Sequence, residues 1–469
     1  MIFSMAMLPP ILISLIYQDG ATFPFISAFF LLLGMGMVLW LPVRDFRREM
    51  RLRDGFIVVA MFWLVLGLSG AVPLMISEQP TMTFTDAVFE SISGLTTTGA
   101  TVITGLDNLA PSILFYRQLL QWLGGMGIIV LAVAVLPMLG IGGMQLYRAE
   151  TPGPMKDNKL TPRITETAKA LWYIYLGLTG VCALAYWAAG MSAFDAITHS
   201  FSTVAIGGFS THDASLGFFQ SQLIETVAIV FMLLAGVNFS LHFLAWRSFT
   251  IKPYFGDEEF RTYIKVLLIA STMTVLYLYF TEAYTDFNSA LHHGVFQAVS
   301  AGTTTGFTTT NFSMWPGFLP ALLIVVSFIG GCAGSTGGGM KVMRVLLLLK
   351  QGNREVVRLI HPSAQVPVKI GGKPLDERVI DSVWGFFSLY VGSYIVMSMV
   401  LSASGLDLIT AFSAVAACMN NLGPGLGEVA AHYADINDLA KWVLCFAMLL
   451  GRLEIFTLLV LLSPAFWRR

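Results

Sequence analysis

Several long stretches of this chain contain no Asp, Glu, Lys or Arg, among them Gln118–Tyr147, Ala170–Phe194, Thr226–Trp246 and Ser382–Leu406. A helix that crosses a bilayer needs about 20 consecutive, predominantly apolar residues. Each stretch reaches that length. In hydrocarbon every backbone N–H and C=O must be satisfied within the segment, so such runs fold as helices. Composition agrees: 12% of residues are charged, against roughly 25% in soluble domains. The sequence therefore predicts an all-α, multi-span membrane protein, with lipid as its surroundings and no nucleic-acid partner. Met1–Tyr17 is apolar, with no basic leader and no small-residue cleavage site, and reads as an uncleaved first span. Cys182, Cys332, Cys418 and Cys445 sit in apolar stretches without metal-ligand spacing and read as small buried hydrophobes.

Charge gives orientation. Of the 27 Lys and Arg, all but Arg117, Lys441 and Arg452 fall in Arg44–Arg53, Arg148–Lys169, Arg247–Lys265, Lys341–Arg378 and Arg468–Arg469. The positive-inside rule makes these five segments cytoplasmic. The alternating segments carry Asp86, Glu90, Asp107, Asp195, Asp213, Glu282, Asp286, Asp407, Glu428 and Asp435. Such acids either form a cation-concentrating outer face or are the solvated ends of helices.

The chain repeats itself. Four segments align without gaps and end on glycine: Asp86–Gly99, Asp195–Gly208, His293–Gly306 and Thr410–Gly423. A long apolar run precedes each, at about 56–76, 168–190, 263–281 and 381–404, and another follows, at about 112–140, 222–246, 317–349 and 440–464. Between the two runs lies a segment with about ten helical residues, which covers only about 15 Å. The unit is therefore helix, short re-entrant helix, extended loop, helix. Irregular backbone at membrane depth survives only where it is buried or lines a water-filled cavity, so four copies point to a central pore. The expected organisation is two leading helices in 1–54 and units at 55–147, 148–247 and 248–350. A cytoplasmic loop with the fourth unit fills 351–469. Ten spans put both termini on one side, and the charges make that side cytoplasmic.

A cation passing such a pore must have its water replaced, and rings of backbone carbonyls do this for potassium. Carbonyls that all point inward need unusual backbone angles, which glycine adopts without strain. The expected filter glycines are Gly99, Gly208, Gly306 and Gly423. The neighbouring carbonyls come from Thr97 and Thr98, Ile206 and Gly207, Thr304 and Thr305, and Asn421 and Leu422. Side-chain identity differs between copies, which suits a backbone role.

Two further features point below the filter. The stretch Gly334-Ser-Thr-Gly-Gly-Gly339 before Met340-Lys341 resembles a phosphate loop, but Met separates Gly from Lys and no Ser or Thr follows. A break in the second helix of the third unit is the better reading. Gly330, Gly331, Gly334, Ser335, Thr336, Gly337, Gly338 and Gly339 then form an intramembrane gate. Arg452 lies within the last apolar run, where a charge is costly and faces the interior. Glu454 is no local partner, because residues i and i+2 do not face each other on a helix. Third and fourth units are neighbours in a ring, so the glycine loop and Arg452 are expected to meet there. His292–His293 reads as helix-end packing, and His199 and His212 read the same way.

The stretches Ser93–Thr101, Gln121–Ile129, Ala205–His212, Gly330–Gly339 and Asn420–Gly427 closely resemble the TrkH family, the membrane subunits of bacterial Trk potassium-uptake systems in the Trk/Ktr/HKT superfamily. The resemblance spans essentially the whole chain, and the two leading helices fit Trk better than the shorter Ktr subunits. It implies a homodimer in the bacterial inner membrane with one pore per subunit. It also implies a cytosolic TrkA-like nucleotide-binding ring as gating partner. The nucleotide belongs to that partner, and potassium is the substrate; this chain itself needs no cofactor. Sodium-preferring plant relatives carry serine at the first filter glycine, and Gly99 is intact here.

Other classes fit less well. Secondary transporters with inverted repeats show halves of opposite topology, whereas these four copies run the same way. An intramembrane enzyme needs a nucleophile with a base, or a metal cluster, and none stands out. Passive conduction, proton- or sodium-coupled symport and a less selective monovalent-cation channel all remain compatible with the sequence.

Overall fold

The structure is a computed structural model, and it describes residues 1–44, 52–130 and 164–468. Most of the basic segments Arg44–Arg53 and Arg148–Lys169, and the second half of the run Gln118–Tyr147, lie outside the described residues. The described chain is helical apart from one hairpin, in which Lys369 pairs with Pro374 and Ile370 with Lys373.

Two leading helical segments, Ile2–Tyr17 and Thr22–Val43, precede the units. Their connecting turn is pinned to the first unit, because Asp19 accepts hydrogen bonds from the Ser14 hydroxyl at 2.6 Å and the Ser112 N–H at 2.9 Å. The units follow as expected. The first helices are Leu52–Ile76, Ile164–Ala188, Glu258–Phe280 and Glu377–Ala403. The short helices are Phe84–Leu95, Ala193–Ala205, Phe287–Thr303 and Leu408–Met419. The third, at 17 residues, is longer than its pattern suggests.

Each short helix starts at a polar N-cap. Thr83, Ser192, Asp286 and Asp407 accept from backbone N–H groups of the first turn, which satisfies donors the helix itself cannot. Small residues allow these helices to be the core: every residue from Ala87 to Leu95 is buried, as are Ala411 and Ala414–Ala417. The second helix of each unit packs on the short helix of the next, and that of the fourth unit packs on the short helix of the first. The four units thus close into a ring. Large apolar side chains cover the outside instead, among them Phe30, Leu39, Leu184, Trp187, Leu268 and Met399. An exterior of that kind suits lipid and not water.

The second helices differ from expectation. Only the third was expected to break, and it does, into Leu319–Ile329 and Val342–Ile360. The second unit also breaks, with Gln222–Ala235 and Phe239–Ser248 meeting at 94°. In the fourth, Asp438–Arg452 and Phe456–Leu462 meet at 120°. Arg452 therefore ends a helix rather than lying inside one. The fourth-unit break has no Pro. Glu454 and Ile455 take left-handed angles, φ 58° and 53°, and Glu454 is held by Arg344 at 2.9 Å. Such angles on non-glycine residues are strained and persist only where the surroundings hold them.

Candidate ion-conduction site

The short helices end on the segments singled out in the sequence. Thr97, Ile206, Thr304 and Asn421 each follow a helix end with a left-handed backbone, at φ 52°, 55°, 67° and 55°. The next residue donates its N–H back into the last turn: Thr98 to Ser93, Gly207 to Ser202, Thr305 to Ser300 and Leu422 to Ala417, at 2.7–2.9 Å. This is a Schellman cap. It consumes the segment's N–H groups and leaves its carbonyls facing away from the helix. Gly99, Gly208, Gly306 and Gly423 follow, again left-handed, at 81°, 77°, 82° and 96°. Alternating the hand of the backbone turns successive carbonyls to the same side.

The glycines also show how the segments meet. A β-carbon on Gly99 would lie 2.1 Å from the Gly207 oxygen; on Gly208, 2.0 Å from that of Thr305; on Gly306, 1.9 Å from that of Leu422; on Gly423, 2.7 Å from that of Thr98. The contacts run from first unit to second, second to third, third to fourth and fourth back to first. Four equivalent carbonyls and four equivalent glycines therefore form one closed ring, with no room for a side chain. The surrounding polar groups are buried and connected. Thr96 and Thr98 share a hydrogen bond at 2.8 Å, Thr303 and Thr305 at 2.7 Å, and Asn421 donates to the Thr98 hydroxyl at 2.9 Å. The Gln121 amide donates to the Gly207 carbonyl at 2.6 Å. Such a ring can replace the water around a monovalent cation. The short helices direct their negative C-terminal ends at it, which favours a positive charge.

Beneath the ring lies the glycine loop. Gly330, Gly334 and Gly339 take φ near 70°, so the helix cannot continue through them. The loop touches three short-helix ends: Thr336 donates to the Val204 carbonyl at 2.9 Å, Gly338 N–H to the Thr304 hydroxyl at 2.7 Å, and Gly339 N–H to the Asn420 carbonyl at 3.0 Å. Gly337 and Gly338 are needed for that approach, since β-carbons there would lie 3.0 and 2.0 Å from the Thr303 and Asn420 oxygens. Gly331 and Ser335 pack inside the loop, where Ser335 donates to Cys332 at 2.6 Å.

The Arg452 guanidinium donates to the Thr336 carbonyl at 3.1 Å and to the Gly124 carbonyl at 3.2 Å. Thr336, from the third unit, thus reaches the second through its hydroxyl and the fourth through its carbonyl. Arg452, from the fourth, reaches the first. All four units meet at these two residues.

One group at this level was missed in the sequence. Glu259 is buried, and one of its oxygens accepts from the N–H groups of Ala333 at 2.7 Å and Met343 at 3.2 Å. A single carboxylate therefore holds both ends of the loop. Only its place in an Asp-Glu-Glu run is visible in sequence, and that reads as an ordinary helix start.

Among the alternating acids, Glu90 and Asp86 need correction, whereas Asp286 and Asp407 are helix ends as one of the two readings had it. Glu90 is fully buried and bound to Arg117 at 2.7 Å, and Asp86 pairs with Lys441 at 2.7 Å. Two of the three isolated basic residues are thus spent on acids assigned to the outer face. Asp286 and Asp407 serve as helix caps. His212 does more than pack: it contacts Asp107 at 2.6 Å and Asp195 at 3.5 Å, joining first and second units. Burial alone would lower the His212 pKa, but these two carboxylates outweigh it and raise it. His293 bonds Thr309 at 2.9 Å, and His292 faces Glu225 at 3.9 Å. All four cysteines are buried and free.

An apolar, lipid-suited helical exterior around a closed ring of four short-helix ends defines a membrane transporter for cations rather than an enzyme. The chain belongs to the TrkH family of cation transport proteins, whose family model matches residues 21–469. It is 59% identical over 469 residues to the Trk system potassium uptake protein TrkH of Vibrio parahaemolyticus, covering all of this chain and 97% of the relative. It is 56% identical over 467 residues to TrkH of Escherichia coli K12, with the same coverage. The crystal structure of the potassium transporter TrkH from Vibrio parahaemolyticus superposes with a TM-score of 0.92, over 100% of this chain and 97% of that one.

Proposed function

We propose that this protein takes up potassium across the bacterial inner membrane through the carbonyl ring as a selectivity filter. The carbonyls of Thr97, Thr98, Gly99, Ile206, Gly207, Gly208, Thr304, Thr305, Gly306, Asn421, Leu422 and Gly423 replace the ion's water. The observation that carries this reading is the closed ring of four glycine–carbonyl contacts, and the potassium named for the full-length relatives supports it.

The Gly330–Gly339 loop with Arg452 is the gate. A cation below the filter meets a chain segment tied to all four units and a fixed positive charge. Opening requires the loop to move aside, a two-state change biased from the cytoplasm. In this reading the protein works as a homodimer with both termini cytoplasmic, and a TrkA-like nucleotide-binding ring supplies the bias. Purified protein in liposomes, with potassium and proton gradients imposed separately, tests the proposal. Potassium flux down its own gradient alone is expected. Flux that requires a proton or sodium gradient would replace passive conduction by symport, and absence of potassium flux in every condition would overturn the function.

A further inference from the structure

The residue nine positions before each ring glycine is Glu90, His199, Gln297 and Ala414 in the four units. In three of them this side chain reaches the backbone just beyond the ring or a group beside it. Glu90 accepts from Val102 N–H at 2.9 Å and from the Thr101 hydroxyl at 3.0 Å. His199 Nε2 bonds the Ser210 hydroxyl at 2.9 Å. Gln297 donates to the Thr310 carbonyl at 3.3 Å. The fourth unit has alanine there, and the preceding Ser413 takes over, accepting from Leu426 N–H at 2.9 Å. A side chain of each short helix thus braces the strand that leaves the ring.

The first unit is different because its brace is charged and extends into the next unit. Arg117 Nε binds Glu90 at 2.7 Å, with the two side chains 1% and 0% exposed. Its other nitrogens donate to the Thr101 hydroxyl at 3.0 Å and the Ser210 carbonyl at 3.1 Å. The guanidinium lies 4.3 Å from the centre of the Phe209 ring. Phe209 and Ser210 directly follow Gly208, and Thr101 and Val102 follow Gly99 closely. A buried ion pair costs desolvation that apolar packing avoids, and His199 and Gln297 brace their own units without one. The added feature here is rigidity between two adjacent ring segments, since the guanidinium fork fixes several acceptors in one plane.

We infer that the Glu90–Arg117 pair is a positioning element that sets the potassium-over-sodium preference of the ring. It does so by keeping the first and second segments from closing onto the smaller ion. This rests on the potassium-conduction reading above. The test is the ratio of potassium to sodium flux through full-length protein in liposomes, for Glu90→Gln, Glu90→Gln with Arg117→Met, and Arg117→Lys. The double variant leaves no unpaired charge, and Arg117→Lys keeps the charge but loses the fork. The ratio is expected to fall about fivefold or more in each variant that folds, with total cation flux retained, because a loosened carbonyl cage discriminates less. A ratio within about twofold of the parent in any monodisperse variant with a cooperative melt overturns the inference. Failure of all three to fold also overturns it, as it would make the pair a folding determinant. No potassium flux in the parent would instead overturn the conduction reading.

Discussion

Arg452→Ala removes the charge and the two hydrogen bonds that tie the fourth unit to the Thr336 and Gly124 carbonyls, at 3.1 and 3.2 Å. A hydrogen bond from a charged group contributes about 1.5–3 kcal/mol, so the closed arrangement loses about 3–6 kcal/mol gross. Relief of the buried guanidinium's desolvation, itself worth several kcal/mol, offsets about half. The net of about 1.5–3 kcal/mol makes the open state about ten- to a hundredfold more populated, at 1.4 kcal/mol per decade. The same substitution removes a Coulomb barrier of about 3 kcal/mol, for a cation about 5 Å away at an effective dielectric near 20. Both effects raise flux, so tenfold is a floor. The assay is potassium flux from partner-free liposomes, with elution profile and melting temperature as controls. Flux at or below the parent, from protein with unchanged controls, would refute the gate and leave Arg452 a structural tie.

Three further outcomes are expected. Gly306→Ser should impair potassium flux and shift preference toward sodium, because its β-carbon would sit 1.9 Å from the Leu422 oxygen at φ 82°; unchanged flux ratios would remove Gly306 from the filter. Reporter fusions after Arg53, Lys159, Lys252 and Lys369 should all report cytoplasm, and one periplasmic report would break the four-unit register. His212 gains its carboxylate partners on folding and its pKa is raised. Its stabilisation is therefore complete below the unfolded value of about 6.5 and lost as pH rises through the folded one. The melting temperature in detergent should fall over that window, and His212→Gln should flatten the fall; an identical slope in the variant would rule His212 out as its source.

Local pattern carries a great deal in this chain. Uncharged runs fix which segments cross lipid, because hydrocarbon accepts only internally bonded backbone. Four gapless segments that end on glycine recur between apolar runs, and that repeat alone locates the ends of the short helices and the residues that meet at the ring, though not the start of the third helix. The Gly330–Gly339 break is equally legible, since a glycine-dense stretch cannot be a stable helix interior. What escaped the sequence depends on contacts between distant residues. The bend after Arg452 falls on non-glycine residues and coincides with the Arg344–Glu454 pair, a contact between different units. Glu90 and Asp86 look like outer-face acids until the first unit folds Arg117 onto Glu90 and the closed ring brings Lys441 against Asp86. Glu259 looks like a helix-start acid until Ala333 and Met343 are folded onto it. Hydrophobicity and backbone propensity act on neighbours in the chain, so sequence by itself determined the units. The pairing of buried charges depends on how helices far apart in the chain pack, within a unit for Glu90–Arg117 and across the closed ring for Asp86–Lys441, and only the tertiary structure decided that.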